Sequence, residues 1–293
     1  MSKTVAAPVT GFVFVAAFAL SAGCGGSPGP APPVETLPAG EFSYAPYARV
    51  LYEHVNEIGW VDYAGLQRDR ADLDGFAALL AGLDPAELDT WSEADKIAFW
   101  INAYNALTLI AIIDHYPIEP SALRSVMYPR NSIRQIPGVW KKLQFTVLGK
   151  PTTLDAIEHE ILRVEFDEPR IHMALVCAAI SCPPLRDEPF RGARLEEQFD
   201  DQTVRFLADP DRFRIDRDRK RVYLSPIFDW FGDDFVSKYG GGERFPGRND
   251  ARRAVLEFVV PHLDDGDRAL IEGNDFSIDF LDYDWTLNER RAR

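Results

Sequence analysis

The sequence predicts an α+β fold, a mostly helical single domain around a buried central helix with a small sheet. Three observations lead there. Residues 98–117 are apolar in nearly every helical direction, segments of helical period outnumber those of strand period, and the two kinds do not alternate regularly. At 293 residues, 46% hydrophobic and 12% aromatic, the chain is large and apolar enough to enclose such a helix.

The central helix has defined limits. Ser92 is placed to cap its start, with Asp95 three residues on, and the ring of Pro117 disfavours helix in the residue before it. A surface helix would show a polar face, and this one shows none, so it is expected inside the domain. It is too short, and too interrupted by Asn, Tyr and Thr, to read as a bilayer span. Asn102 and Asn105 lie three apart on one face, with Thr108 continuing the line. Two readings stay open: these amides bind neighbouring loop backbone, or they floor a site.

Residues 1–23 read as a lipoprotein signal peptide, with Lys3 as a short positive start and residues 11–20 as its apolar core. The stretch Leu20-Ser-Ala-Gly-Cys24 resembles a bacterial lipobox, so Cys24 is expected to carry the lipid and become the mature N-terminus. An ordinary secretory signal cleaved nearby is the rival. Residues 24–41, rich in Pro and Gly, form a tether. The expected location is outside the cytoplasm, lipid-anchored to a bacterial membrane and facing the periplasm or the cell surface. A net charge of −14 argues against a nucleic-acid partner and against electrostatic docking on anionic lipid. The expected partners are the membrane, through the lipid anchor, and an unknown small-molecule or envelope substrate.

Residues 42–288 make the folded domain, and 289–293 a charged tail. Helical stripes fall at 42–56 and 66–83, on either side of a short extended segment at 59–63. Residues 117–139 are irregular; Arg124, Arg130 and Arg134 could line a pocket that prefers anions, although a solvated loop is the simpler expectation. Residues 143–148 alternate as a strand and turn at Gly149-Lys150. A helix follows from about 154 to 166, with Glu158 inside its apolar face, His159 toward the edge and Arg163 on the opposite side. Residues 170–177 read as a strand buried on both faces, with His172 interrupting it. A helix at 195–207, a hairpin joining 213–215 to 222–224, a helix opened by Ser225-Pro226 and a last helix at 251–263 complete the reading.

The chemistry-bearing residues are few. Cys177 and Cys182 are close enough in sequence to bridge across a loop, and an exported protein permits a disulfide. The alternatives are Cys182 as a nucleophile beside His172 or His159, and a zinc site made by both cysteines with the two histidines. A carboxylate in an apolar helix face and an imidazole in an apolar strand are costly unless they meet. Glu158 and His172 are therefore expected to converge beneath the Asn102/Asn105 face as an acid–base centre. Tyr104, Ser181, Asp229 and Trp230 are candidate binding positions, Trp230 as an aromatic platform. Asp229, Asp233, Asp234, Asp279, Asp282 and Asp284 form two acidic clusters without a calcium-loop pattern, explained mostly by helix-end and turn chemistry. No phosphate loop occurs; no cofactor and no metal are expected.

Six separated blocks carry a resemblance. Phe99-Trp-Ile-Asn-Ala-Tyr-Asn-Ala-Leu107, Ile157-Glu-His159 with Leu162-Arg163, Ile171-His172 through Cys177, Ser181-Cys-Pro-Pro-Leu185, 225–235 and Tyr283-Asp-Trp-Thr-Leu-Asn288 resemble the domain of unknown function 547 family in order and spacing. The likeness spans 42–288, and the family name itself implies no activity. A fainter likeness is to the papain- and transglutaminase-like core, where a helix packs on a strand that begins with His, here His172; the helix offers no cysteine. The functional readings that follow are an envelope hydrolase or group-transfer enzyme, a non-catalytic binding or structural protein, and a thiol-redox component.

Overall fold

The computed structural model describes residues 42–290, and the expected signal peptide, tether and lipidation site at Cys24 lie outside them. Helices Ala45–His54, Tyr63–Arg68, Ala71–Gly82 and Pro85–Asp89 lead into the central helix, Glu93–Ile113. Ser92 caps it as expected: its Oγ accepts the Asp95 N–H at 3.1 Å. Every residue from Ile97 to Ile113 is buried. With 21 residues the helix is long and apolar enough to cross a membrane, contrary to the expectation from length. Its place in the protein decides the matter, since 89% of its most apolar window is buried inside the fold.

The two carboxamides of this helix are clamps. Asn102 donates to the Phe190 carbonyl at 2.8 Å and accepts the Phe190 N–H at 2.9 Å. Asn105 donates to the Ala174 carbonyl at 3.0 Å and accepts the Val176 N–H at 2.9 Å. Each side chain thus supplies the pair of bonds that a neighbouring strand would supply. Two loops are thereby sealed against an apolar helix without orphaned backbone groups. Thr108 bonds back to the Tyr104 carbonyl of its own helix at 2.8 Å and holds nothing else.

That clamp explains one correction. Residues 170–177 are not a strand: Pro169–Met173 is a 3₁₀ turn, and the following residues run irregularly past Asn105. The run is apolar on every side because it is enclosed on every side, which short apolar runs share with buried strands. With no strand starting at His172, the pairing behind a papain- or transglutaminase-like core is not found among the described residues. The expected helix at 66–83 is two helices, parted where Asp69 leaves helical geometry (φ −119°, ψ 60°). The helix after Ser225-Pro226 is three short turns, Ile227–Trp230, Gly232–Phe235 and Val236–Tyr239.

The sheets are small, and the class is mostly helical α+β. β1 (Phe145–Val147) and β2 (Lys150–Thr152) form a hairpin whose turn is Leu148-Gly149, both at positive φ. β3 (Phe213–Asp216) and β4 (Arg221–Leu224) pair antiparallel as expected, and β5 (Ser277–Phe280) joins β4 in parallel. Phe206, Phe228, Phe235 and Phe258 form a second apolar cluster beside this sheet, distinct from the one around the central helix.

The C-terminal segment then ties the parts together. Ile180 N–H reaches the Thr286 carbonyl, Asp284 N–H the Ser181 hydroxyl, and Tyr63 OH the buried Asn288 side chain at 2.7 Å. Gly59 (φ +80°) lies under this crossing, where a Cβ would sit 2.6 Å from the Leu185 nitrogen.

Asn105→Ala would leave two buried backbone groups unpaired, at about 1–3 kcal/mol each. Urea unfolding should show a loss of about 2–5 kcal/mol for Asn105→Ala and about 1 kcal/mol or less for Thr108→Val. Equal losses would rule out the clamp.

Candidate functional site

Near the junction of the two apolar clusters lies a cavity of about 600 Å³. Its walls come from six parts of the chain, among them the central helix with Tyr104 and residues 227–231 with Trp230 and Phe231. The irregular segment 124–142 gives Arg134 and Trp140, the helix at 154–165 gives Glu158 and His159, the segment 172–183 gives His172 and the cysteines, and the C-terminal segment gives Tyr283 and Trp285.

The helix at 154–165 starts with Thr153 capping Ala156 N–H at 3.1 Å. It contains a π turn, Ile157–Leu162. A π turn holds more residues than an α turn, so residues four and five apart come onto one side. Arg163 is therefore not turned away from Glu158 as α spacing predicts, while His159 is its ordinary same-face neighbour four residues back. It donates to His159 Nδ1 at 3.0 Å and, through Nε and one terminal nitrogen, to both oxygens of Asp234 at 2.6 and 2.8 Å. His159 Nε2 lies 3.7 Å from Asp155.

His172 is buried, its ring stacked on Phe231 at 4.1 Å with 13° between the planes. Its Nε2 is 2.7 Å from Asp234 Oδ2. Burial acts to raise the Asp234 pKa, but hydrogen bonds from Arg163 and His172 outweigh it and hold the carboxyl well below the ordinary range. In turn, the Asp234 hydrogen bond raises Arg163 despite partial burial. Asp234 is thus a fixed anion that orients one imidazole. Sequence reasoning missed this role because an acid in the first turn of a helix has a simpler explanation in the dipole.

Glu158 lines the same cavity. The Tyr104 hydroxyl, whose pKa burial pushes far up, lies near Trp140 and Glu158. The expected direct pairing of Glu158 with His172 is not the one formed: among the described residues, the hydrogen bond of His172 goes to Asp234. Nor do the helix amides complete the centre, since Asn102 and Asn105 are engaged with loop backbone and do not line the cavity.

Cys177 and Cys182 form a disulfide with Cα atoms 6.2 Å apart. Both cysteines line the cavity, and the Tyr283 hydroxyl sits 3.3 Å from Cys177 Sγ and donates to Cys182 Sγ at 3.1 Å. In this state Cys182 is neither a thiolate nucleophile nor a zinc ligand. Among the described residues, donor atoms of Glu53, His54 and Asp69 come within 4.8 Å of one another, and none of the three lines the cavity.

Of the remaining candidates, Tyr104 and Trp230 line the cavity, and Trp230 stacks near Trp285 with centroids 6.2 Å apart. Ser181 is buried and accepts the Asp284 N–H, a structural task. Asp229 is exposed and does not line the cavity. Arg124 and Arg134 do line it, Arg130 does not.

Residues 88–207 match the model of a family described as Protein of unknown function, DUF547. Neither the comparison with curated proteins nor that with solved structures returned a match. Within the DUF547 match lie Tyr104, Arg134, Glu158, Arg163, His172 and the disulfide. The rest of the cavity, Trp230, Phe231, Tyr283 and Trp285 together with the buttress Asp234, is supplied by chain beyond the matched segment.

The Asp234 pairings have a pH consequence. A carboxyl with a lowered folded pKa adds stability that is complete above the unfolded value, about 3.9, and is lost as pH falls toward the folded value. Asp234→Asn should cost roughly 2 kcal/mol at pH 7. The gap between the two proteins should narrow as urea unfolding is repeated at pH 4 and then pH 2.5. A gap independent of pH would show that the carboxylate charge does not contribute.

Proposed function

We propose that this protein is a lipid-anchored cell-envelope enzyme, a hydrolase or group-transfer catalyst whose active site is the cavity around His172. The observation that carries the reading is His172 in the cavity wall with its Nε2 held by Asp234. When Nε2 carries the proton and donates to Asp234, Nδ1 is left as the basic nitrogen. A base oriented in this way can take a proton from water or a substrate hydroxyl, and the fixed Asp234 carboxylate stabilises the imidazolium that forms. Arg163 keeps that carboxylate ionised and aimed. Glu158, close to the Tyr104 hydroxyl, is the acid available to protonate a leaving group. Aromatic walls and a mostly apolar lining suit a site from which substrate displaces water.

One observation favours a second reading, that of a thiol-redox component. Both cysteines of the disulfide line the cavity, and a single hydroxyl, Tyr283, is positioned against both of its sulfurs. A hydroxyl donor there would support a thiolate released when an incoming dithiol opens the bond.

The two readings separate in one set of assays on the purified protein. Chromogenic ester, thioester and amide substrates should reveal turnover that falls about 10²–10⁴-fold in His172→Ala and Asp234→Asn. Glu158→Gln should lose activity with its melting temperature little changed. Undiminished turnover in His172→Ala would reject the acid–base reading, and dithiol oxidation lost on Cys177→Ser would favour the redox one.

The envelope location rests on the signal peptide, lipobox-like Cys24 and tether of the sequence. Mass spectrometry of the N-terminal peptide of mature protein should find an acylated Cys24. A product cleaved at another bond and free of lipid would overturn the anchor.

A further inference from the structure

We infer that Arg134 is the anchor for a carboxylate on the substrate, so that the cavity takes an anionic molecule with an apolar or aromatic body. This deepens the reading of the cavity as an active site and rests on it, but its own claim concerns binding. The Arg134 guanidinium carbon lies 3.9 Å from the Trp285 ring centroid and 5.0 Å from those of Tyr128 and Trp140. Three rings thus hold the cation by their faces, an arrangement that fixes a guanidinium without neutralising it. No carboxylate of the described residues comes within ion-pair distance of Arg134, and its buried Nε–H has no hydrogen-bond partner.

The neighbouring cations are differently placed. Arg163 is spent on Asp234, Lys141 lies 3.7 Å from Asp155, Arg124 donates to the Gln135 carbonyl at 2.8 Å, and Lys142, which also lines the cavity, is solvent-exposed. In a chain with a net charge of −14, a stacked arginine facing a cavity without a counter-ion is the position where an anion gains most. The geometry favours a planar carboxylate, which accepts two parallel N–H bonds from a guanidinium fork. A dianionic phosphate would face repulsion from Glu158 and Asp155 in the same cavity. Trp140, Trp230 and Trp285 offer the surface for an apolar body.

The probes are 4-phenylbutyrate, its uncharged amide and phenyl phosphate, titrated into full-length protein by calorimetry and by fluorescence of the cavity tryptophans. The carboxylate should bind the wild type about tenfold or more tightly than the amide. Arg134→Met should erase that preference while leaving amide affinity within about twofold, and Arg134→Lys should restore part of it. His172→Ala should keep the preference intact, so that failure of the catalytic reading and failure of this one are told apart. Near-ultraviolet circular dichroism verifies that each variant is folded. Equal affinity for acid and amide, no binding of either, or a preference that survives Arg134→Met overturns the proposal. Tighter binding of phenyl phosphate overturns the carboxylate assignment.

Discussion

A helix that is apolar all round must be wrapped, and its two amides decide what wraps it. Asn102 and Asn105 offer side-chain bonds by which irregular chain lies against the central helix without losing backbone hydrogen bonds. Because Asn105 fixes residues 174–176, the 3₁₀ turn just before them is fixed too, and with it His172. Residues 177–182 follow at once and are held by the disulfide. The polar groups that look most like a site in sequence therefore act one layer behind it.

In front of that layer, the cavity is built from charge held in chosen partnerships. Asp234 receives Arg163 on both oxygens and His172 on one, so one carboxylate carries the orientation of the imidazole and is kept ionised by the arginine. The π turn in the helix at 154–165 is what lets Arg163 reach it while Glu158 still faces the cavity. The irregular segment 124–142 works differently. It places Arg134 among aromatic rings where an ion pair would have cancelled its charge. One arginine serves the framework and the other remains available to a ligand.

The C-terminal segment completes the site from a distance of about a hundred residues along the chain. Ser181, Ala178 and Asn131 hold its backbone, and that backbone delivers Tyr283 to the disulfide and Trp285 to Arg134. Stability and site geometry are thus coupled: loosening the crossing beneath Gly59 and Asn288 would move the aromatic wall as well as the fold.

Sequence alone determined the features that depend on local period and composition. The central helix with its Ser92 cap, the helix at 195–207, the β3–β4 hairpin and the spacing that lets Cys177 meet Cys182 were all legible, because each is specified by neighbours in the chain. Glu158, His159, His172, Tyr104 and Trp230 were also legible as oddities, polar or aromatic groups in positions that demand a reason. Only the tertiary structure decided their partners. It put Asp234 rather than Glu158 on His172, turned Arg163 inward, replaced the expected strand with a clamped loop, and left Asp229 and Ser181 outside the cavity wall. Those outcomes depend on which distant segments arrive at the same place, and a hydrogen bond between residues 62 apart leaves no periodic trace in either segment.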